Sequence, residues 1–176
     1  AHPQAPLAAV RGEVHAAGQR AKNEGGRDAF SITIVKRSGG ALRLTDKWGE
    51  PVELLQALRS FLAAEGVSRR AAYHTLQWLD ARQLPVPDGD GAMLEQLLAY
   101  QFARQARDAA KNQAPLLAQR LTALCLQKPA VQRIEWRRNF IAVAEFLARE
   151  IHSTSKPAEC GKSDSDSGHR HSDTLS

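Results

Sequence analysis

Cysteine is scarce in this chain: only Cys125 and Cys160 occur among 176 residues. Two thiols cannot build a disulfide framework, and no Cys pair has zinc-binding spacing. A reducing, cytoplasmic setting is the expectation. Aromatic residues are also few, at 6%, while Ala, Leu, Gln and Arg dominate, a mix that favours helix. No apolar run approaches the length of a membrane span, so no membrane partner is expected. The first residues lack the apolar region of a secretory signal. A Gly-rich phosphate loop is missing, and the acids are scattered. His15, His74 and His152 stand apart from one another. An enzyme is therefore not expected, nor a cofactor, nor a metal site. Cys160, His169 and His171 could ligate a metal only from an irregularly spaced tail.

What is present is positive charge. The formal balance is +5. The last residues, 153–176, hold three Lys/Arg against four Asp/Glu, so the tail is −1 and residues 1–152 carry +6. Such a body favours polyanions, although the same charge also serves solubility. The tail is rich in Ser, Asp, His and Gly and has too little apolar surface to offset its ordering entropy. It is expected to be disordered over 153–176. Ser163, Ser165 and Ser167 alternate with Asp164 and Asp166 and could accept phosphate.

Residues 1–29 read as a flexible arm, with a weak helix over Leu7–Ala21 and a breaker at Asn23–Gly26. Residues 30–152 read as one helical domain. Phe30–Val35 and Ala41–Thr45 alternate apolar and polar residues around Ser38-Gly39-Gly40, which predicts a β-hairpin. Its Lys36, Arg37 and Arg43 make it either a basic ribbon or a cover over a helical core. Pro51 opens a helix with Leu54, Leu55, Leu58, Phe61 and Leu62 on one face. Gly66 then suits a C′ stop and Ser68 an N-cap, starting a second helix that runs to about Arg82. After a Pro/Gly loop, Asp90 could cap a third helix that continues toward Lys111. A fourth starts at Pro115, and a fifth covers about Ala130–Ile151. The fold class expected is mainly α: an N-terminal β-hairpin, a central helix-turn-helix, a C-terminal helical bundle and a disordered tail.

On a helical wheel over 69–82, Ala72, Leu76 and Leu79 cluster with Thr75 beside them, which makes the buried side. Arg70, His74 and Gln77 face the other way, flanked by Tyr73 and Trp78. A major-groove reader needs long donors and acceptors on such a face. Arg can bridge guanine O6 and N7, and Gln can pair with adenine N6 and N7. Ser68 and the first amides suit a phosphate, as does Arg69. An ordinary helical hairpin with a solvated outer face has the same pattern. Trp78 on the open side is better explained by packing against a further layer.

The run Leu62-Ala63-Ala64-Glu65-Gly66-Val67-Ser68-Arg69-Arg70-Ala71-Ala72-Tyr73-His74-Thr75-Leu76 resembles the turn and recognition helix of bacterial helix-turn-helix and winged-helix regulators. Those proteins place Gly, an apolar residue and then Ser or Thr before the reader. The resemblance implies that Arg69, Arg70, Tyr73, His74 and Gln77 contact DNA. It departs from the pattern at Leu62, where Ala is usual, and at Glu65, where an apolar residue is usual. No strand pair follows Arg82 to form a wing.

Arg104, Arg107 and Lys111 lie on the expected third helix, and Arg133, Arg137 and Arg138 near the start of the fifth, close to Lys128. These are candidate phosphate contacts; the alternative is a solvated face with pairs such as Arg104 to Asp108. The function expected is a non-enzymatic reader of duplex DNA. It would be a regulator or accessory factor, for example of a bacterial mobile element, paired or assembled through its C-terminal helices. The alternative is a basic helical subunit of a larger assembly that reads no sequence.

Overall fold

A computed structural model describes residues 7–36, 40–79 and 91–154. Disorder is expected from Ser153, but Ser153 and Thr154 still belong to a helix; the rest of the tail, the tip of the hairpin turn, the helix beyond Leu79 and the Pro/Gly loop with its Asp90 cap lie outside the described residues.

The chain is mainly helical with a two-stranded antiparallel hairpin near the N-terminus. α1 (Leu7–Asn23) precedes β1 (Ala29–Val35) and β2 (Ala41–Lys47). Gly12 and Gly18 do not interrupt α1, and no residue of it is buried. The hairpin pairs Ile32 with Leu44 and Phe30 with Asp46. Strand alternation thus puts Phe30, Ile34, Leu44 and Asp46 on one buried face. α1 lies on the other face, where Arg20 donates to the Thr33 hydroxyl. A lone hairpin is marginal in water; here it is held between α1 and the helical body.

That body comprises α2 (Glu50–Ala63), α3 (Ala71–Trp78), α4 (Gly91–Gln105), α5 (Asp108–Lys111), α6 (Ala114–Leu126) and α7 (Ala130–Thr154). Pro51 and Pro115 occupy first turns, where a missing N–H costs nothing. The apolar stripes converge on Leu54, Leu58 and Phe61 of α2, Leu98 and Phe102 of α4, Leu121 of α6 and Phe140 and Ile141 of α7, all 1% exposed or less. Phe61 and Phe102 meet with ring centroids 5.6 Å apart. Each such side chain contributes about 1.5–3 kcal/mol on burial. α7 packs along both α2 and β2, and α4 lies against α6.

One feature of the body is fixed by a carboxylate. Asp46 continues the inward alternation of β2 and is only 4% exposed. It accepts hydrogen bonds from Lys128 Nζ at 2.6 Å, Trp136 Nε1 at 2.8 Å and the Lys47 amide at 2.8 Å. Lys128 also sits 5.2 Å from the Trp136 ring centroid. The hairpin is thereby tied to the α6–α7 junction.

Candidate nucleic-acid interface

The entry to α3 differs in detail from the expectation. The helix begins at Ala71, with Arg70 in the cap position. Ser68 lies further upstream and closes the preceding turn: its Oγ accepts from the Arg70 amide at 3.3 Å, and its carbonyl from the Ala71 amide at 2.8 Å. Arg69 and Arg70 therefore sit on this turn, both exposed.

Gly66 is not a left-handed helix stop; among the described glycines, positive φ occurs at Gly26, Gly40 and Gly49. Its role is close approach. A Cβ at Gly66 would lie 3.2 Å from the Arg107 carbonyl oxygen. The Arg107 amide donates to the Gly66 carbonyl at 2.8 Å, and the Ser68 amide donates to the Gln105 carbonyl at 2.9 Å. Val67 and Ala106 thus form an antiparallel bridge. This rung ends α4 at Gln105, so the helix does not continue to Lys111 as expected. Asp108 follows with φ at 51°, a left-handed conformation that Asp tolerates better than most residues. Arg104 and Asp108 accordingly do not share a helix.

α3 rests on α4 and α7. Ala71, Ala72, Thr75 and Leu79 are its buried residues, close to the wheel expectation, and Leu76 is half-buried. Thr75 satisfies its buried hydroxyl by donating to the Ala71 carbonyl at 2.8 Å. On the outer edge Tyr73 and Gln77 are exposed, and half-buried His74 meets the Tyr73 ring edge-on at 5.5 Å. Trp78 is half-buried and tilts against Tyr100 of α4 at 6.3 Å, so although the wheel puts it on the open side it packs on a neighbouring layer, as expected.

A groove lies on each flank of α3. Toward α7, about 710 Å³ is lined by Leu62, Ser68, Arg69, Arg70, Ala72, Glu145, Ala148 and Arg149. Arg149 pairs with Glu145 one helical turn away, and Arg69 and Arg70 leave the groove net cationic. Arg149 had no motif around it to mark it in the sequence; the fold brings it here. Toward α4, about 300 Å³ is lined by His74, Gln77, Trp78, Gln101, Arg104 and Gln105. Gln101 had a signal: it is a polar residue between Leu98 and Phe102 on the buried stripe of α4.

The remaining basic residues divide. Arg104, Arg107 and Lys111 are exposed, and the Arg107 backbone belongs to the rung at Gly66. Arg133 does not join an open stripe. Its guanidinium donates to the Lys128 and Leu126 carbonyls at 3.0 and 3.1 Å, satisfying the C-terminal end of α6. Arg137 is 5% exposed, so it cannot contact a phosphate as expected. Both are drawn inward because the start of α7 packs on β2 through Trp136. Arg138 stays exposed.

Among the described residues, no group of three His, Cys, Asp or Glu could hold a metal ion, and no helix is long and apolar enough to cross a membrane. Asp46 has the burial of a catalytic acid, but its three donors tie it to a structural task. No family model, curated protein or solved structure matches this chain.

Proposed function

We propose that this chain is a non-enzymatic, cytoplasmic DNA-binding protein, a regulator or accessory factor that grips duplex DNA along α3. The observation that supports this most is the exposure of Arg69, Arg70, Tyr73 and Gln77 along one edge of α3 and its entry turn. The Val67–Ala106 rung holds that turn in place, so these side chains start from a fixed backbone, which lowers the ordering cost of binding. Arg70 and Gln77 are the base readers in this proposal, and Ser68, Arg69 and Tyr73 meet the backbone. Arg104, Arg107 and Lys111 add phosphate contacts. His74 orients Tyr73 through their ring contact.

The test is selection of duplexes from a random pool, followed by mobility shifts at two salt concentrations. One enriched motif is expected, with affinity falling as salt rises. Arg70→Ala and Gln77→Ala should each cost about 1–3 kcal/mol and relax the motif. Lys111→Ala should weaken all duplexes alike and reduce the salt slope by roughly one. Binding that ignores salt, or a double Arg70→Ala, Gln77→Ala variant with unchanged selection, would sink the proposal.

A second reading is favoured by the shortness of α3, 8 residues, and by its seat against α4 and α7. In it the chain is a basic helical subunit of a larger assembly and holds nucleic acid without reading it. That reading expects no enriched motif and stable partners that copurify from the native host.

A further inference from the structure

The described lining of the groove between α3 and α4 is mainly polar. Gln77, Gln101 and Gln105 offer three amides, Trp78 an aromatic wall and Arg104 one cation. Among the described lining residues none is acidic. Gln101 is only 3% exposed, and its side chain lines this opening. A primary amide at this opening can offer two donors and an acceptor to an incoming molecule. Tyr100, 56% exposed, lies beside Trp78 with ring centroids 6.3 Å apart. The volume of about 300 Å³ stands at the small end for ligand pockets.

We propose that this groove holds a nucleobase outside a helix, its edge on the Gln101 and Gln105 amides, its face toward Trp78 and its phosphate on Arg104. Amides supply donor and acceptor together, as the Watson–Crick edge of a base requires. Stacking on an aromatic ring accepts any base. A guanidinium is suited to a phosphate. A base within a duplex has this edge occupied by its partner, so two sources remain: a free nucleoside monophosphate, or an unpaired nucleotide in a strand. The groove shares His74 and Gln77 with the edge proposed to read duplex DNA, but it does not depend on that reading.

The full chain is titrated, with tryptophan emission as readout, against the four ribonucleoside monophosphates. Parallel titrations use a DNA duplex with one bulged nucleotide, the same duplex with an abasic sugar at the bulge, and a fully paired duplex. Quenching that disappears in Trp78→Phe is expected, with binding about tenfold weaker in Gln101→Leu. Binding of monophosphates assigns the free source. Preference for the bulge over the abasic sugar assigns the strand. Equal binding of bulged and abasic duplexes without monophosphate binding overturns the proposal, as does undiminished binding by a folded Gln101→Leu. Should Gln101→Leu not fold, photocrosslinking of a bulged 5-bromouracil to the unaltered protein decides. Attachment to Trp78, Tyr100 or the end of α4 supports the groove, and attachment elsewhere overturns it. Fully paired duplex binding that survives Gln101→Leu while bulge binding falls separates this site from the reader edge.

Discussion

Asp46 carries more of the structure than any other polar residue described. Its carboxylate collects Lys128, Trp136 and the Lys47 amide from three directions. Asp46→Ala leaves a lysine and an indole N–H without their acceptor in a largely dry place. The expected loss is about 2–4 kcal/mol in urea denaturation. Trp136→Phe keeps the ring and removes one donor, and should cost only about 1 kcal/mol. The sequence held half of this: strand alternation runs on from Ala41–Thr45 and would carry Asp46 inward. Its partners lie far along the chain, and no local pattern names them. The same holds for Arg133 and Arg137. Their i,i+4 spacing looks like an open cationic stripe, and only the packing of α7 against β2 and α6 turns them inward.

Helices and hairpin follow from local rules, so they were legible: apolar residues at 3.6 spacing, β-branched alternation, Pro in first turns. The end of α4 was not, because it is imposed by Val67, a residue from another element. Gly66 is the checkpoint. Gly66→Ala pushes a Cβ toward the Arg107 carbonyl, 3.2 Å away in the native backbone. A loss of about 1 kcal/mol is expected, with faster amide hydrogen exchange at Ser68 and Arg107 than at Leu121. Unchanged exchange at those two amides would mean the rung accommodates the methyl. The reader edge was legible as a face, since Ala72, Thr75 and Leu79 point inward as the wheel required. The grooves beside it were not, since each needs a second helix whose position no periodicity supplies.

Across the whole molecule, α2 and α6 are joined at the surface by Glu50 and Arg120, 2.7 Å apart, with Glu53 at 3.7 Å from the same guanidinium. The hydrogen bond from Arg120 holds the Glu50 carboxyl below its ordinary pKa. A carboxyl lowered in the folded state stabilises above its unfolded pKa, and that contribution fades as pH drops through the folded value. Glu50→Gln should therefore be slightly less stable than the parent at neutral pH. The difference should vanish in acid, below the usual carboxylate range; a gap that widens there would refute the pairing. The Val67–Ala106 rung reaches further still. It closes a loop of roughly forty residues, an entropic cost met only after the intervening chain is in place. During synthesis, therefore, the entrance to α3 cannot take its final shape until Ala106 has left the ribosome. The edge proposed to meet DNA is completed late, and a nascent chain halted before that point has no finished surface with which to bind.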